Sequence, residues 1–430
     1  MLIMLSSIVT GILVATTSVS AIPTKGKSHV RHNVELGPRP EYLINDMGSG
    51  WLKDRLYSCL NKEVVTTKFS IGHRGGACLQ FPEETMESQI AGIRMGAGIL
   101  ECDVVFTKDR QLVCRHDQCD LHTTTNIVAT PLGAKCTTPF TPASSGNENE
   151  SESESGTPAT ARCCTSDITL AEFKTLCGKM DGFNASATTA EEYLHGTPSW
   201  RTDLYATCAT VLSHREFIRL VDAQGQGLGQ QLQFTSELKQ PRVPMPFEGT
   251  YTTAQYEQQV VDEYLEAGID PSRVWLQSFV FEDVAYWLRH APDFGKQAVL
   301  LDQSGDSPRS IDDAIANLTF YRDAGVRILG PPLPYLVTVD GEGEYVPSRY
   351  AVMAKELGLG IVTWSLERSG PLARVAQNGD YYYSTILNGT RRDGDVFRLV
   401  DVLARRVDVL GIFSDWSATV TFYANCFKLF

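Results

Sequence analysis

Glu101 and Asp103 stand one residue apart at the end of an apolar run. In a strand, residues i and i+2 share a face, so the two carboxylates project together while Cys102 points the other way into packing. The sequence His73-Arg74-Gly75-Gly76 lies one helix length upstream, and His116-Asp117 follows shortly after. Farther on, Phe234-Thr-Ser-Glu-Leu-Lys239 repeats the alternate spacing with Glu237 and Lys239. Paired oxygen ligands bracketed by histidines suit metal-assisted chemistry on an anionic substrate. Hard oxygen donors favour Ca²⁺, with Mg²⁺ as the second choice, over zinc. Glu237 is expected to complete a metal shell begun by Glu101 and Asp103, and Lys239 to neutralise phosphate charge. Arg74 offers a planar fork for phosphate oxygens. His73 and His116 can move a proton near neutral pH, and the glycines after Arg74 are expected to let the backbone approach a ligand closely. Each fragment has a bland alternative: a capped turn at His116, a structural His-Arg pair at a strand end, a salt-bridged core edge for the carboxylates. Buried carboxylates without partners are costly, however, and that favours ligation.

Positioning such groups requires a scaffold. Phe69–Gly72 reads as a strand ending at His73. A helix opened by Pro82 follows, with Glu83, Glu84 and Glu87 in its first turns, and Gly98 is expected to close it. Ile99–Phe106 is the second strand, and Leu112–Arg115 continues as extended chain into His116. Further strands are expected at Leu232–Leu238, Val274–Ser278, Ala298–Leu301, Arg327–Leu329, Gly360–Trp364 and Val409–Ser414. Helical patterns separate them at about 253–267, 281–290, 310–324 and 348–357. Eight strands, each followed by a helix or a helix-length segment, predict a (β/α)8 TIM barrel, because charged residues recur at strand C-termini from both halves of the chain. Residues 118–230, rich in cysteine and poor in periodicity, are expected as an inserted subdomain after the second strand. The barrel domain is then 67–430, preceded by an N-terminal segment, 22–66.

The chain has 430 residues and a net charge of −13, from 38 Lys+Arg against 51 Asp+Glu. That balance excludes a nucleic-acid partner, which needs a basic surface. Met1–Ala21 is apolar, ends in Val19-Ser20-Ala21 and reads as a secretory signal, although its first residues carry no Lys or Arg. It is too short and too interrupted to span a membrane, and no other stretch has the apolar length required. Eleven cysteines, six of them between Cys119 and Cys208, predict disulfide-stapled loops in an oxidising compartment. The odd number leaves one thiol over, and Cys102 inside its strand is expected to be that one. Sequons at Asn149, Asn184, Asn317 and Asn388 fit a secreted, extracellular or cell-wall-associated product. The acidic tract Gly146–Gly156 is expected as a surface loop.

These motifs, taken together, resemble the glycerophosphodiester phosphodiesterase family. The matching segments are Ile71-Gly-His-Arg-Gly75, Pro82-Glu-Glu-Thr85, Gly96-Ala-Gly-Ile-Leu-Glu-Cys-Asp-Val104, Val113-Cys-Arg-His-Asp117, Glu237-Leu-Lys239, Val362-Thr-Trp-Ser365 and Gly411-Ile-Phe-Ser-Asp-Trp416. The resemblance implies a TIM barrel with an insertion after its second strand and a small-molecule glycerophosphodiester substrate. By position it gives the acid/base roles to His73 and His116, the metal to Glu101, Asp103 and Glu237, and substrate contacts to Arg74, Lys239, Glu83 and Trp364. Two departures bear on substrate preference: Glu84 stands where the family has Asn, and His122 where it has Arg. A related barrel of the phospholipase D type, acting on lysolipids or sphingomyelin, is the nearest alternative. Arg74-Gly75-Gly76 and Glu83 favour the phosphodiesterase. A non-catalytic secreted barrel is disfavoured because every expected polar residue is present.

Overall fold

Apolar runs bounded by turn residues pair side by side into a closed ring. In the computed structural model, which describes residues 34–144, 156–205 and 208–430, the ring has eight parallel strands. They are β1 (Thr67–Gly72), β2 (Ala97–Phe106), β3 (Gln233–Leu238), β4 (Val274–Ser278), β5 (Val299–Leu301), β6 (Ile328–Gly330), β7 (Gly360–Leu366) and β8 (Gly411–Ser414). Strand β8 pairs with β1 and closes the barrel. Ile71, Ile99, Val299, Leu301, Ile328, Val362 and Phe413 fill its interior, so the barrel is a packed core with chemistry confined to its mouth. The expected signal segment Met1–Ala21, Asn149 and most of the acidic tract lie outside the described residues.

Helices α1 (Met86–Arg94), α2 (His214–Gly227), α3 (Thr253–Glu266), α4 (Phe281–His290), α5 (Ile311–Asp323), α6 (Arg349–Glu356), α7 (Asp395–Val402) and α8 (Ser417–Phe427) follow the strands in turn. Reciprocal capping boxes start several of them, Ser213 with Glu216 on α2 and Thr252 with Gln255 on α3. Helix α1 begins later than Pro82 predicts. Thr85 Oγ1 bonds back to Pro82 O and accepts from Ser88 N, so it is the cap, and Glu83 and Glu84 sit in the preceding turn. Gly98 belongs to β2 and does not end the helix. A Cβ there would lie 2.6 Å from the Thr67 carbonyl carbon, so its absence lets β1 and β2 approach.

The insertion leaves the barrel after a short strand, Leu112–Cys114, that runs antiparallel to the end of β2. It has a core of its own, including Ile127, Phe173, Leu176 and Tyr193. Cys119–Cys164, Cys136–Cys163 and Cys177–Cys208 staple it internally. The stretch expected as insertion also holds α2, a barrel helix that buries Phe217, Ile218 and Val221. The expectation of a free Cys102 is corrected: it is bonded to Cys114, because the antiparallel pairing brings that strand across its outward face. The one free thiol is the buried Cys78. Ahead of β1, helices Arg39–Asp46 and Trp51–Tyr57 pack on α8, and Cys59–Cys426 ties the two regions together. Among the described residues no helix is long and apolar enough to cross a membrane.

Candidate active site

The carboxylates meet because β2 and β3 are neighbours. Their parallel register sets Asp103 beside Glu237. One oxygen each from Glu101, Asp103 and Glu237 lies within 4.8 Å of the others, and all three residues are buried. Glu101 is fixed from two sides: the Arg74 backbone N–H donates to Oε2 at 2.8 Å and Gln277 Nε2 to Oε1 at 2.7 Å. Lys239 Nζ lies 2.5 Å from Glu237 and 3.8 Å from Asp103. Both Asp103 side-chain oxygens are buried without a hydrogen-bond partner. Burial drives the Glu101 carboxyl well above its usual range, and Asp103 and Glu237 beside it add to this. Burial also pushes Glu237 up to about 8 against the opposing pull of Lys239. At Asp103 burial acts upward too, but Lys239 and Arg74 outweigh it and hold the group low. Three clustered carboxylates with orphaned oxygens are what a divalent cation with oxygen ligands requires, so the residues present fit such an ion.

His73 ends β1. Its Nδ1 lies 2.5 Å from Asp415 Oδ1 and 3.0 Å from Ser365 Oγ, which leaves Nε2 toward the carboxylates, 3.9 Å from Glu101. Burial lowers the His73 pKa, while the Asp415 carboxylate acts to raise it. His116 follows the short antiparallel strand and lines the same cavity. Burial, then the positive charges of Arg74 and Lys239, hold its pKa far below the ordinary imidazole value. Neither of its ring nitrogens hydrogen-bonds to a described residue.

Beneath these groups lies a second charge cluster. Glu83 and Asp415 face Arg74, Arg201 and Arg368. Arg74 Nη1 donates to Glu83 at 2.9 Å, Arg368 Nη1 to Asp415 at 2.9 Å and Arg201 Nη2 to Asp415 at 2.7 Å. Glu83 is 3% exposed and serves as counter-ion to the arginines below the cavity wall. Arg74 sits at φ 50°, and Gly75 and Gly76 also have positive φ. Their close backbone approach is to the protein itself: a Cβ on Gly75 would run into Ser88 Oγ, and one on Gly76 would run into Ser417 Oγ. This corrects the expectation that they make room for a ligand.

The cavity above holds about 610 Å³. One wall is cationic and carboxylate-rich, with His73, Arg74, Glu101, His116, Glu237, Lys239 and Arg368. The other is aromatic. Trp364, anchored by Nε1 to Gly330 O at 2.8 Å, meets Phe279 edge-on at 5.7 Å and lies parallel to Tyr381 at 6.4 Å. Tyr381 donates to Asp306 on the rim.

Sequence reasoning missed Asp415, Ser365, Gln277, Arg368 and Arg201. Asp415 and Ser365 lie within segments matched as motifs, Gln277 lies at the end of the expected strand Val274–Ser278, and their place at strand ends was the available signal. Arg368 stands two residues beyond β7. Arg201, inside the insertion, had no signal.

Known proteins agree with this architecture. A sequence model of the glycerophosphoryl diester phosphodiesterase family matches residues 73–313, more than half of the chain. A protein of Arthroderma benhamiae named "Extracellular protein" is 52% identical over 251 residues, which are 58% of this chain and 100% of the relative. A crystal structure from Silicibacter pomeroyi, assigned as a glycerophosphoryl diester phosphodiesterase, superposes with a TM-score of 0.51 at 18% identity, covering 87% of this chain and 98% of that one. A phosphodiesterase of Oleispira antarctica, solved with sn-glycerol-3-phosphate, gives a TM-score of 0.48 at 15% identity, covering 86% and 99%. The closed parallel barrel, the carboxylates and histidines gathered at its mouth and the matching family model lead to one placement: the chain belongs to the glycerophosphoryl diester phosphodiesterase family and is a phosphoric diester hydrolase.

Proposed function

We propose that the protein is a secreted, divalent-cation-dependent enzyme that hydrolyses glycerophosphodiesters such as glycerophosphocholine to sn-glycerol 3-phosphate and an alcohol. The observation that carries this reading is the cluster of Glu101, Asp103 and Glu237, in which the buried Asp103 oxygens accept no hydrogen bond, with two histidines on the same cavity. Glu101, Asp103 and Glu237 would hold the cation, Ca²⁺ for preference. When bound, it supplies positive charge that polarises a phosphate oxygen.

The chain's own residues do the rest. Arg74, Lys239 and Arg368 offset the charge that accumulates on the phosphate oxygens. His73, with Asp415 behind Nδ1, is the imidazole better able to carry a proton, and it donates from Nε2 to the leaving alkoxide. His116 has no carboxylate partner and several cationic neighbours, so it stays neutral and accepts a proton from the water that attacks phosphorus. The aromatic wall of Trp364 and Phe279 covers the apolar face of the substrate and excludes water. Secretion is supported by the name of the fungal relative and by five disulfides, which persist in oxidising compartments.

The test is product analysis on glycerophosphocholine, glycerophosphoethanolamine and lysophosphatidylcholine, with Ca²⁺, Mg²⁺ or chelator, and with Glu101→Ala as control. Cation-dependent release of sn-glycerol 3-phosphate from the deacylated diesters is expected. Turnover of lysophosphatidylcholine alone would replace this reading with the phospholipase D one.

A further inference from the structure

Arg201 belongs to none of the strand-end motifs, yet its side chain is only 4% exposed and lies under the active site. Residues 196–205 of the insertion form a strap across the loop that follows β1. Thr202 N donates to Leu79 O at 3.0 Å, and Tyr205 stacks on Phe81 at 4.7 Å and 12°. Cys208, bonded to Cys177, anchors the far end. The Arg201 guanidinium lies over the Trp200 ring at 4.8 Å, and that ring packs against Gly370 just past β7.

The strap delivers two contacts: Nη2 to Asp415 Oδ2 at 2.7 Å and Nη1 to Glu83 Oε2 at 3.9 Å. Arg368 donates to the same Asp415 oxygen at 2.9 Å, which leaves Oδ1 to His73. The two arginines are not equivalent. Arg368 lines the cavity and is open to a phosphate, whereas Arg201 does not line it. When substrate engages Arg368, Arg201 is the cation that stays with Asp415.

We propose that Arg201 is a positioning residue for the phosphodiester reaction: the cysteine-stapled insertion reaches back over the barrel to fix Asp415, and through Asp415 the orientation of the His73 ring. Its catalytic consequence rests on the function proposed above, and its geometric consequence does not.

The experiment compares full-length, cation-loaded wild type, Arg201→Ala and Arg201→Lys in two measurements. For glycerophosphocholine hydrolysis, Arg201→Ala should lower kcat roughly 30-fold while KM moves less than about threefold, because the ring that transfers the proton is misaimed while the binding groups stay in place. Arg201→Lys should recover part of kcat. In proton NMR, the low-field Nδ1–H resonance of His73, assigned by its loss in His73→Gln, should shift or vanish in Arg201→Ala and be displaced by a smaller amount in Arg201→Lys. An unshifted resonance in Arg201→Ala, or a kcat within about threefold of wild type, would overturn the proposal. If Arg201→Ala does not fold, Arg201→Lys decides: wild-type values in both measurements overturn the proposal, while an intermediate kcat with a displaced resonance supports it. A wild-type protein inactive on glycerophosphodiesters would sink the functional reading and leave the resonance to test the positioning.

Discussion

Two buried charge clusters share the mouth of this barrel, and they are opposites. In the lower one, Glu83 and Asp415 meet three arginines, and each carboxylate is held by hydrogen bonds. In the upper one, three carboxylates crowd together with Lys239 as their nearest cation, and the Asp103 side-chain oxygens accept no hydrogen bond, with Lys239 at 3.8 Å and Arg74 at 3.6 Å. Buried charge is tolerated when paired and costly when not. In the lower cluster both carboxylates are therefore paired as folded, and they hold His73 and Arg74 in place. The upper one lacks such pairing, and it is there that the function proposed above puts the cation.

The difference can be broken in ways that separate the two roles. The largest effect should come from the upper cluster. Chelation, or Glu101→Gln, is expected to lower turnover on the order of 10³-fold, since the cation supplies several kcal/mol of transition-state stabilisation, and readdition of Ca²⁺ or Mg²⁺ should restore only the chelated wild type. The histidines come next. His73→Ala and His116→Ala should each cost about 10²–10⁴-fold on glycerophosphocholine. With a p-nitrophenyl leaving group, which needs no protonation, His73→Ala should regain most of its loss and His116→Ala should not. Equal rescue of both would exchange or abolish the assigned roles.

Stability should respond in opposite directions. Glu83→Gln leaves the arginines short of a counter-ion and is expected to destabilise the fold by about 3–5 kcal/mol in denaturant titration. Burial raises the Glu83 pKa, but Arg74, Arg368 and Arg201 outweigh it and bring it down to about 2 from an ordinary 4.5. Its contribution is therefore complete above about 4.5 and is lost as pH falls toward 2. Glu237→Gln, the smallest effect, should raise the melting temperature of the chelated protein while lowering that of the Ca²⁺-loaded protein. Glu237 is pushed up to about 8, so the cation-free fold binds the extra proton and loses stability as pH climbs from 4.5 to 8. A chelated melting temperature that rises over that interval would contradict the reading of the upper cluster as an uncompensated site.

The barrel was legible because each strand is a compact apolar run and each helix carries its own period. The Glu101–Asp103 pair follows from the alternation of one strand, and Glu237 joined it by repeating that spacing. The two strands are neighbours across the insertion, so the triad needs the β2–β3 register and not the closure of the ring. What escaped notice depends on side chains converging from distant elements. Asp415 was in view as part of a motif, but its partnership with His73 spans 342 residues. Cys102 was assigned to packing because a three-residue antiparallel strand carries too weak a pattern to announce its partner. Arg201 sits in a segment whose shape is dictated by disulfides, and no periodicity predicts where such a loop will point.

The bond between Cys59 and Cys426 has a further consequence. A cylinder of strands has one seam where the first and last staves meet without a connecting loop between them, here β1 against β8. The helices flanking that seam are clasped by a covalent link 367 residues long in sequence, so the hoop cannot spring open at its join. A protease that severs one outer loop would then leave both pieces hanging from the same clasp. For an enzyme exposed to digestion, a nicked molecule held together in this way can keep its mouth intact and go on working.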